Sequence, residues 1–214
     1  MRQRVHRSSP LLAGALCMVL AGCVGSSRPS RFYTLATSDV RPGTTITAAD
    51  TMLAVGPVEI PEYVDRHQIV TRAGTNELVV ADFDRWAGSL PEEITRSLVA
   101  VLADRLSPRN VAVTTWRSAH LVRAAATYRA AVTITRFDGS LGHSVVLRGR
   151  WALTADRAGK ASSILVKEAT VTENVDGAGY DALVAAMERA LVRFGEEMAD
   201  SVTASTQVAA RDSR

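Results

Sequence analysis

From residue 128 onward the sequence pattern predicts several β-strands followed by one long helix. This order of elements restricts the folds that the chain can adopt. Segments 128–137 and 145–154 give the clearest strand pattern, and segment 164–171 predicts a third strand. In the middle segment apolar residues alternate with arginines, which is typical of a strand with one buried and one solvated face. Asp138-Gly139 is typical of a turn between the first two strands. The three segments therefore predict a meander.

A helix follows the meander and begins near Tyr180. Its apolar residues recur at three- and four-residue spacing, which predicts that one helix face packs on the sheet. A partner groove or a lipid contact is the alternative, because the stripe contains methionine and phenylalanine. The stripe consists of Leu183, Val184, Met187, Leu191, Phe194 and Met198. Residues 203–214 are small and polar and predict a disordered tail.

The first half of the chain predicts further strands and one helix. Ser89 and Glu92 fit a capping box with Pro91 in the first turn, so a helix begins there and ends before Pro108. Pro57 places its strand at a sheet edge or in an irregular segment, since proline cannot donate a ladder hydrogen bond. The predicted strands are 32–35, 53–60, the hairpin 68–72 and 77–81, and 111–115.

Together these elements predict one α+β domain over residues 31–202. Its sheet is expected to be largely antiparallel or mixed, with both helices packed on one face. The chain of about 190 residues that remains after the signal segment is long enough to bury most of its apolar surface without disulfides. The free face and the sheet edges would be open to oligomerisation.

The first 22 residues have the layout of a secretory signal peptide. Three arginines precede an uncharged apolar run at 11–21, and small residues lead into Cys23. Such a run forms a helix of about 16 Å, which is too short for a hydrocarbon core of roughly 30 Å. Residues 1–22 are therefore interpreted as a cleaved signal and not as a membrane span.

Leu20-Ala21-Gly22-Cys23 resembles the lipobox of bacterial lipoproteins. The resemblance implies cleavage before Cys23, a diacylglycerol on its thiol and a fatty acyl chain such as palmitate on its amine. This covalent lipid is the one attached group expected, and no other cofactor is predicted. Residues 23–30 would form a flexible tether of at most about 25 Å. Cys17 leaves with the signal, so the mature chain could form no intramolecular disulfide.

The charge balance argues against a nucleic-acid partner. The full chain has 25 basic and 22 acidic residues, and removal of Arg2, Arg4 and Arg7 leaves 22 of each. Binding to phosphates requires a basic patch, which a neutral chain with dispersed charge does not provide.

Few residues suggest catalysis or a bound metal. His67, His120 and His143 are scattered without metal-ligand spacing, so no metal site is predicted. Residues 177–182 match G-x-G-x-x-A, but a dinucleotide fold needs a further strand after the helix, so these glycines are interpreted as a turn. A Ser/His/Asp triad assembled by the fold stays open. The sequence contains no familiar nucleophile or phosphate-binding motif, and no enzyme activity is predicted.

Six short blocks, spread over nearly the whole mature chain, form an ordered signature. They lie at residues 31–35 (RFYTL), 55–66 (VGPVEIPEYVDR), 68–72 (QIVTR), 76–78 (NEL), 83–87 (FDRWA) and 136–139 (RFDG). This signature resembles that of the ABC-type transport auxiliary lipoprotein family, the PqiC-like subunits.

The resemblance implies a non-catalytic subunit of an intermembrane lipid transport system that supports envelope integrity. Members of the family accompany proteins with mammalian-cell-entry (MCE) domains, together with a permease and in some systems an ATPase. The chain is then expected at the periplasmic face of the outer membrane, as a docking or scaffold piece for an MCE-domain protein, with homo-oligomerisation as a further expectation. Val24 after Cys23, in place of an aspartate, agrees with the enterobacterial rule for sorting to the outer membrane.

The candidate partner surface consists of Tyr63, Arg66, Arg72, Arg85 and Trp86, because these residue types are enriched at interface hot spots. The alternative is that this block shapes an irregular strand and that the tryptophan is part of the core. Two other functions remain in view. A lipoprotein regulator of a periplasmic cell-wall synthase usually needs a longer tether, and a periplasmic hydrolase would need motifs that the sequence lacks.

Overall fold

The computed structural model describes residues 28–35, 49–121, 124–157 and 160–211. Within this part of the chain, eight strands form two sheets, and two long helices pack against the larger sheet. The predicted signal segment and Cys23 lie outside the described residues. The strands are β1 (Arg31–Tyr33), β2 (Ala49–Glu59), β3 (Gln68–Arg72), β4 (Leu78–Trp86), β5 (Val111–Thr115), β6 (Ala124–Gly139), β7 (Ser144–Arg157) and β8 (Lys160–Asn174), and the helices are α1 (Leu90–Leu106) and α2 (Tyr180–Arg211).

The large sheet is mixed and has the strand order β5-β2-β6-β7-β8. Strand β2 runs parallel to both of its neighbours, whereas β6, β7 and β8 form the predicted antiparallel meander. Helix α1 packs on β2 and β5, helix α2 packs on β7 and β8, and the two helices contact each other. The prediction of an α+β fold with both helices on one face is confirmed.

Strand β2 lies between β5 and β6 over residues 51–55, so the prediction of an edge strand is wrong there, although Pro57 itself lies past the last pair with β5. The second prediction for this segment, an irregular strand, is confirmed. The register with β6 shifts between Val55 and Val58, and the Gly56-Pro57 peptide bond is cis. The missing N–H of Pro57 therefore falls where the ladder is interrupted, and it removes no regular hydrogen bond.

The remaining strands form a small sheet of order β1-β4-β3. Strands β3 and β4 are the predicted hairpin, closed by a hydrogen bond from the Ala73 N–H to the Glu77 carbonyl at 3.1 Å. Strand β1 adds in parallel to the other side of β4. The sequence predicted one sheet, and the division of the strands between two sheets depends on this long-range pairing.

Helix α1 begins and ends where the sequence predicts, but its N-terminus is stabilised differently. Ser89 occupies the N-cap position without a side-chain capping hydrogen bond. Glu92 reaches Arg117 at 3.4 Å instead of closing a capping box. The buried Glu93 carboxylate accepts a hydrogen bond from the Leu35 N–H at 2.8 Å, which fastens the end of β1 to the helix.

Helix α2 buries the whole predicted stripe against the sheet. Phe194 packs edge-on against Trp151 of β7, with ring centroids 5.2 Å apart. The helix continues to Arg211, so the prediction of a disordered tail from residue 203 is wrong over residues 203–211. Val202 is buried, and the Thr203 hydroxyl donates to the Ala199 carbonyl at 2.9 Å, so packing and local bonding carry the helix onward.

The turn between β6 and β7 also differs from the prediction. Strand β6 continues through Asp138 and Gly139, and the turn consists of residues 140–143. The Ser140 N–H donates to the Ser144 carbonyl at 2.9 Å to close it. Asp138 is therefore a strand residue, and it is completely buried.

Candidate functional site

A register shift in β6 turns Asp138 away from the helices. The shift lies between Ile134 and Arg136. Beyond it, Phe137 pairs with Leu147 on the helix side, so Asp138 and Arg136 face the opposite side of the sheet. The small sheet covers Asp138 there. A carboxylate is thus buried between the two sheets.

Three side chains donate hydrogen bonds to the buried Asp138 carboxylate. Arg72 of β3 makes two parallel bonds, Nε to Oδ1 and Nη2 to Oδ2, both at 2.9 Å. The Tyr63 hydroxyl donates to Oδ2 at 2.6 Å. Arg136 donates to Oδ1 at 3.1 Å from Nε. Two-point guanidinium contacts of this kind fix orientation as well as charge.

The charges around Asp138 set the protonation states of the cluster. Burial acts to raise the pKa of Asp138, but hydrogen bonds from Arg72 and Tyr63 and the positive charge of Arg136 outweigh it, so the pKa lies below 3.8. Burial and the hydrogen bond to the carboxylate raise the pKa of Tyr63 to about 12. Near neutral pH the aspartate is ionised and the phenol is protonated. Neither group is poised to exchange a proton there.

The cluster joins the two sheets. Arg72 also donates to the Thr75 carbonyl at 2.9 Å, and its own carbonyl accepts a hydrogen bond from the Ser140 hydroxyl at 2.7 Å. The hairpin turn, β3 and the β6–β7 turn are therefore bonded through one arginine.

The sequence does not predict the buried position of Asp138, because Asp-Gly is also a typical turn pair. The R-x-D spacing of Arg136 and Asp138, which places two opposite charges on one strand face, was the available signal.

A second polar contact fixes β1 to β4. Asp84 is buried and its Oδ1 accepts hydrogen bonds from Arg31 Nε and from the Tyr33 hydroxyl, both at 2.9 Å. Burial and the contact with Asp84 raise the pKa of Tyr33 to about 12, so this phenol is also protonated near neutral pH. The short strand β1 is held by side chains as well as by its ladder.

The predicted partner residues separate into three groups. Tyr63 and Arg72 are tied to Asp138, and Trp86 is only 3% exposed, so the alternative that the tryptophan belongs to the core is confirmed. Arg66 is exposed. Arg85 is half-buried, and its Nε has no hydrogen-bond partner among the residues that the structure describes. Of the five residues, Arg66 is therefore the exposed one, whereas the unpartnered Nε of Arg85 is itself buried.

The other candidate sites of the sequence do not converge. The predicted lipidation site, Cys23, lies outside the described residues. Across the described ranges, no group of three or more His, Cys, Asp or Glu residues could hold a metal ion. Gly177 has φ 156° and lies in the turn before α2, as interpreted from the sequence. Within the same ranges, no helix combines the length and the apolar character needed to span a membrane.

A groove of about 260 Å³ lies beside the N-terminus of α1. Trp116 forms one wall, and its indole lies over Gly56, where a Cβ atom would come within 2.4 Å of the ring. Arg117 stacks on the same indole at 5.7 Å. The sequence did not predict this groove, because its walls come from three separated segments. The main lining residues are Pro57, Val58, Pro91, Arg96, Trp116 and Arg117.

Two solved structures share this fold. An uncharacterised protein is 20% identical to the chain, with a TM-score of 0.65 and coverage of 82% of this chain and 99% of that one. Protein XCC0632 from Xanthomonas campestris is 16% identical, with a TM-score of 0.61 and coverage of 85% and 99%. At these identities the likeness concerns the fold alone.

Sequence comparison identifies relatives with a described role. The chain is 29% identical over 136 residues to the intermembrane transport lipoprotein PqiC of Escherichia coli K12, which covers 63% of this chain and 68% of that protein. PqiC of Shigella flexneri matches to the same extent. The family model of the ABC-type transport auxiliary lipoprotein component matches residues 33–199. Because that match runs from β1 through both sheets and into α2, the chain belongs to the ABC-type transport auxiliary lipoprotein family.

Proposed function

We propose that the protein is a lipid-anchored, non-catalytic subunit of an intermembrane lipid transport system of the ABC/MCE type. The observation that carries this proposal is the family match over residues 33–199, which spans nearly the whole described domain. The similarity to PqiC, an intermembrane transport lipoprotein, supports the same role. In this role the domain is a docking or scaffold piece that supports envelope integrity.

The proposed anchor is Cys23, acylated at the periplasmic face of the outer membrane. The lipobox-like segment 20–23 and Val24 support it. Arg28 is the first residue of the described domain and lies five positions after Cys23. At about 3.5 Å per residue the connection spans at most roughly 18 Å. The domain would therefore remain close to the membrane that holds the lipid.

A scaffold role agrees with how the chain uses its buried polar groups. Both oxygens of Asp138 accept hydrogen bonds from side chains of the fold, and Asp84 is bonded to β1. Each carboxylate thus joins elements of the fold. The chemistry of these groups supports rigid presentation of a surface more than turnover of a substrate.

The proposed partner is an MCE-domain protein of the same transport system, with a second copy of the chain as a further partner. Arg66 and Arg85 form the proposed contact, because Arg66 is exposed, Arg85 is partly exposed, and the donors to Asp138 are Tyr63, Arg72 and Arg136. Tyr63 and Arg72 then act as positioning residues that hold the Tyr63–Arg66 connection and β3 against the large sheet.

Deletion and complementation in the host bacterium test the function. The deletion strain is expected to become sensitive to detergents or bile salts, wild type restores resistance, and Cys23→Ser does not restore it at equal protein level. Membrane fractionation and intact-mass analysis of the purified protein check acylation in parallel. Full resistance in the deletion strain would argue against a role in the envelope, and full rescue by an unacylated Cys23→Ser protein would argue against the anchor.

A further inference from the structure

The small sheet exposes an unusual amount of apolar surface. Five of the eight large hydrophobic residues that are exposed in the described ranges belong to β1 or β4. Phe32 is 65% exposed, although a phenylalanine in a strand is more often buried. Leu78 and Val80 lie on one face of β4 and Val79 lies on the other, because successive strand residues point to opposite faces. Exposed apolar residues that flank a strand edge on both faces favour a contact along that edge. We call this set the apolar edge, and it consists of Phe32, Leu78, Val79, Val80 and Phe83.

The backbone beside the apolar edge is also unpaired on one side. In the described ranges, strand β1 pairs with residues 84–86 of β4 and with no other strand. On that side, residues 78–83 have no strand partner within the part of the chain that the structure describes. An exposed strand edge with apolar side chains needs a cover or a contact.

The direction of β1 places the proposed anchor near the apolar edge. Strand β1 runs parallel to β4, with Arg31 beside Asp84 and Tyr33 beside Trp86. Because the two strands are parallel, the residues that precede Arg31 lie on the side of Asp84 that points toward Leu78, the start of β4. Arg28 therefore lies toward the apolar edge, and Cys23 is five residues further, within about 18 Å.

We propose that the apolar edge rests on the lipid surface in which the chain's own acyl group is inserted. This inference rests on the proposed anchoring at Cys23. Asp82 is exposed between Val80 and Phe83, and an ionised carboxylate is costly in hydrocarbon. The contact is therefore at the boundary between headgroups and acyl chains, with the exposed Arg28 beside it to pair with lipid phosphates.

This contact would orient the domain. A tether alone lets the domain rotate freely, whereas a second contact beside the anchor fixes which face points into the periplasm. The two contacts combine as linked sites, so even a weak apolar contact becomes effective next to an acyl chain. Val166, which is 63% exposed on β8, lies on the other sheet and is expected to stay in water.

Site-specific labelling tests the proposal. In the acylated mature protein the thiol of Cys23 is blocked by lipid and Cys17 has been removed with the signal. The test variant Val79→Cys therefore carries one reactive thiol, and so does the matched control Val166→Cys. Each full-length acylated protein is labelled with an environment-sensitive fluorophore and bound to vesicles of phosphatidylethanolamine and phosphatidylglycerol. Vesicles that also contain a phospholipid with a nitroxide near its headgroup are expected to quench the probe at position 79 and to leave the probe at position 166 unchanged.

Flotation of the same vesicles separates the two proposals. A protein that floats but shows no quenching at position 79, or equal quenching at both positions, keeps its anchor and overturns the lipid contact. A blue-shifted but unquenched probe at position 79 also overturns it and assigns the apolar edge to contact with a second copy of the chain. A protein that does not float removes the anchor and this inference together.

Discussion

At the residue scale, the donors around Asp138 come from both sides of the junction between the sheets. Tyr63 and Arg72 belong to the β2–β3 connection and to β3, whereas Arg136 lies on β6 beside the carboxylate. The two arginines are partly exposed, with 21% and 34% of their side chains accessible, and Asp138 is fully buried. The aspartate is thus the member of the cluster that depends most on its partners.

Replacing Asp138 by asparagine keeps the shape of the side chain and removes its charge. The two guanidinium groups of Arg72 and Arg136 then lie close together without a counter-charge. We therefore expect Asp138→Asn to lower the free energy of unfolding by about 2–3 kcal/mol. This loss is smaller than for a fully buried ion pair, because water screens the partly exposed arginines. Urea unfolding measures this value. Asp176→Asn, in an exposed pair with Arg189, is the control and should cost below about 1 kcal/mol. Equal losses in both variants would contradict the proposed junction.

The pH dependence of the same variant follows from the lowered pKa of Asp138. Because the pKa is lower in the folded state, the carboxylate contributes stability above its ordinary value of 3.8, and this contribution is lost as the pH falls through the folded pKa. The difference in unfolding free energy between wild type and Asp138→Asn should therefore shrink as the pH is lowered below 3.8. A difference that stays constant over that range would show that the ionised carboxylate is not the source of the stability.

At the element scale, the crossing of α1 and α2 depends on a glycine. A Cβ atom at Gly195 of α2 would lie 2.8 Å from Cγ1 and 3.1 Å from Cβ of Val101 on α1. These are backbone-proximal atoms of a stiff side chain, so the helices would have to separate. Phe194, the neighbouring residue, packs over Gly149 with its ring 3.1 Å from a Cβ placed there. Small residues thus allow helix and sheet to approach closely.

Alanine at position 195 tests this close packing. Alanine favours a helix by about 1 kcal/mol over glycine, but we expect Gly195→Ala to destabilise the protein by about 1–2 kcal/mol because overpacking outweighs propensity. Thermal unfolding measures the effect. In a Val101→Ala background, which removes the contacted atoms, Gly195→Ala should cost less stability than it does in the wild type. Gly179→Ala is a further control and should be nearly neutral, because a Cβ atom at Gly179 meets nothing within 4 Å. A stabilised Gly195→Ala protein would contradict the argument.

Local patterns account for much of the fold at this scale. The meander, the β3–β4 hairpin and the stripe of α2 were predicted because alternation and helical spacing are written within each segment. The sequence does not predict the position of β2 between β5 and β6, because parallel strands pair over long distances and no local sequence pattern indicates which strands pair. The sequence does not predict the place of Asp138, because Asp-Gly is typical of a turn, whereas β6 continues through both residues. The sequence predicts Tyr63 and Arg72 at a partner surface, and only the fold reveals that both are bonded to the buried Asp138.

At the scale of the whole molecule, the candidate partner contact reduces to Arg66 with its neighbour Arg85. Reversing the exposed charge in Arg66→Glu is expected to weaken capture of the MCE-domain protein by about 2 kcal/mol, roughly thirtyfold in Kd, with an unchanged melting temperature. Arg129→Glu, an exposed arginine on β6, is the matched control and should bind as wild type does. Equal weakening by both variants would indicate general electrostatic attraction and not a defined contact.

The proposed role makes an MCE-domain transport protein the partner of this domain. Affinity capture of the intact acylated protein from detergent-solubilised envelopes, with Cys23→Ser as the control and mass spectrometry of the captured material, tests it most directly. We expect an MCE-domain protein and bound phospholipid with the wild type, and less of both with Cys23→Ser. Recovery of cell-wall synthases without any MCE-domain protein would contradict the claim and favour a regulator of wall synthesis.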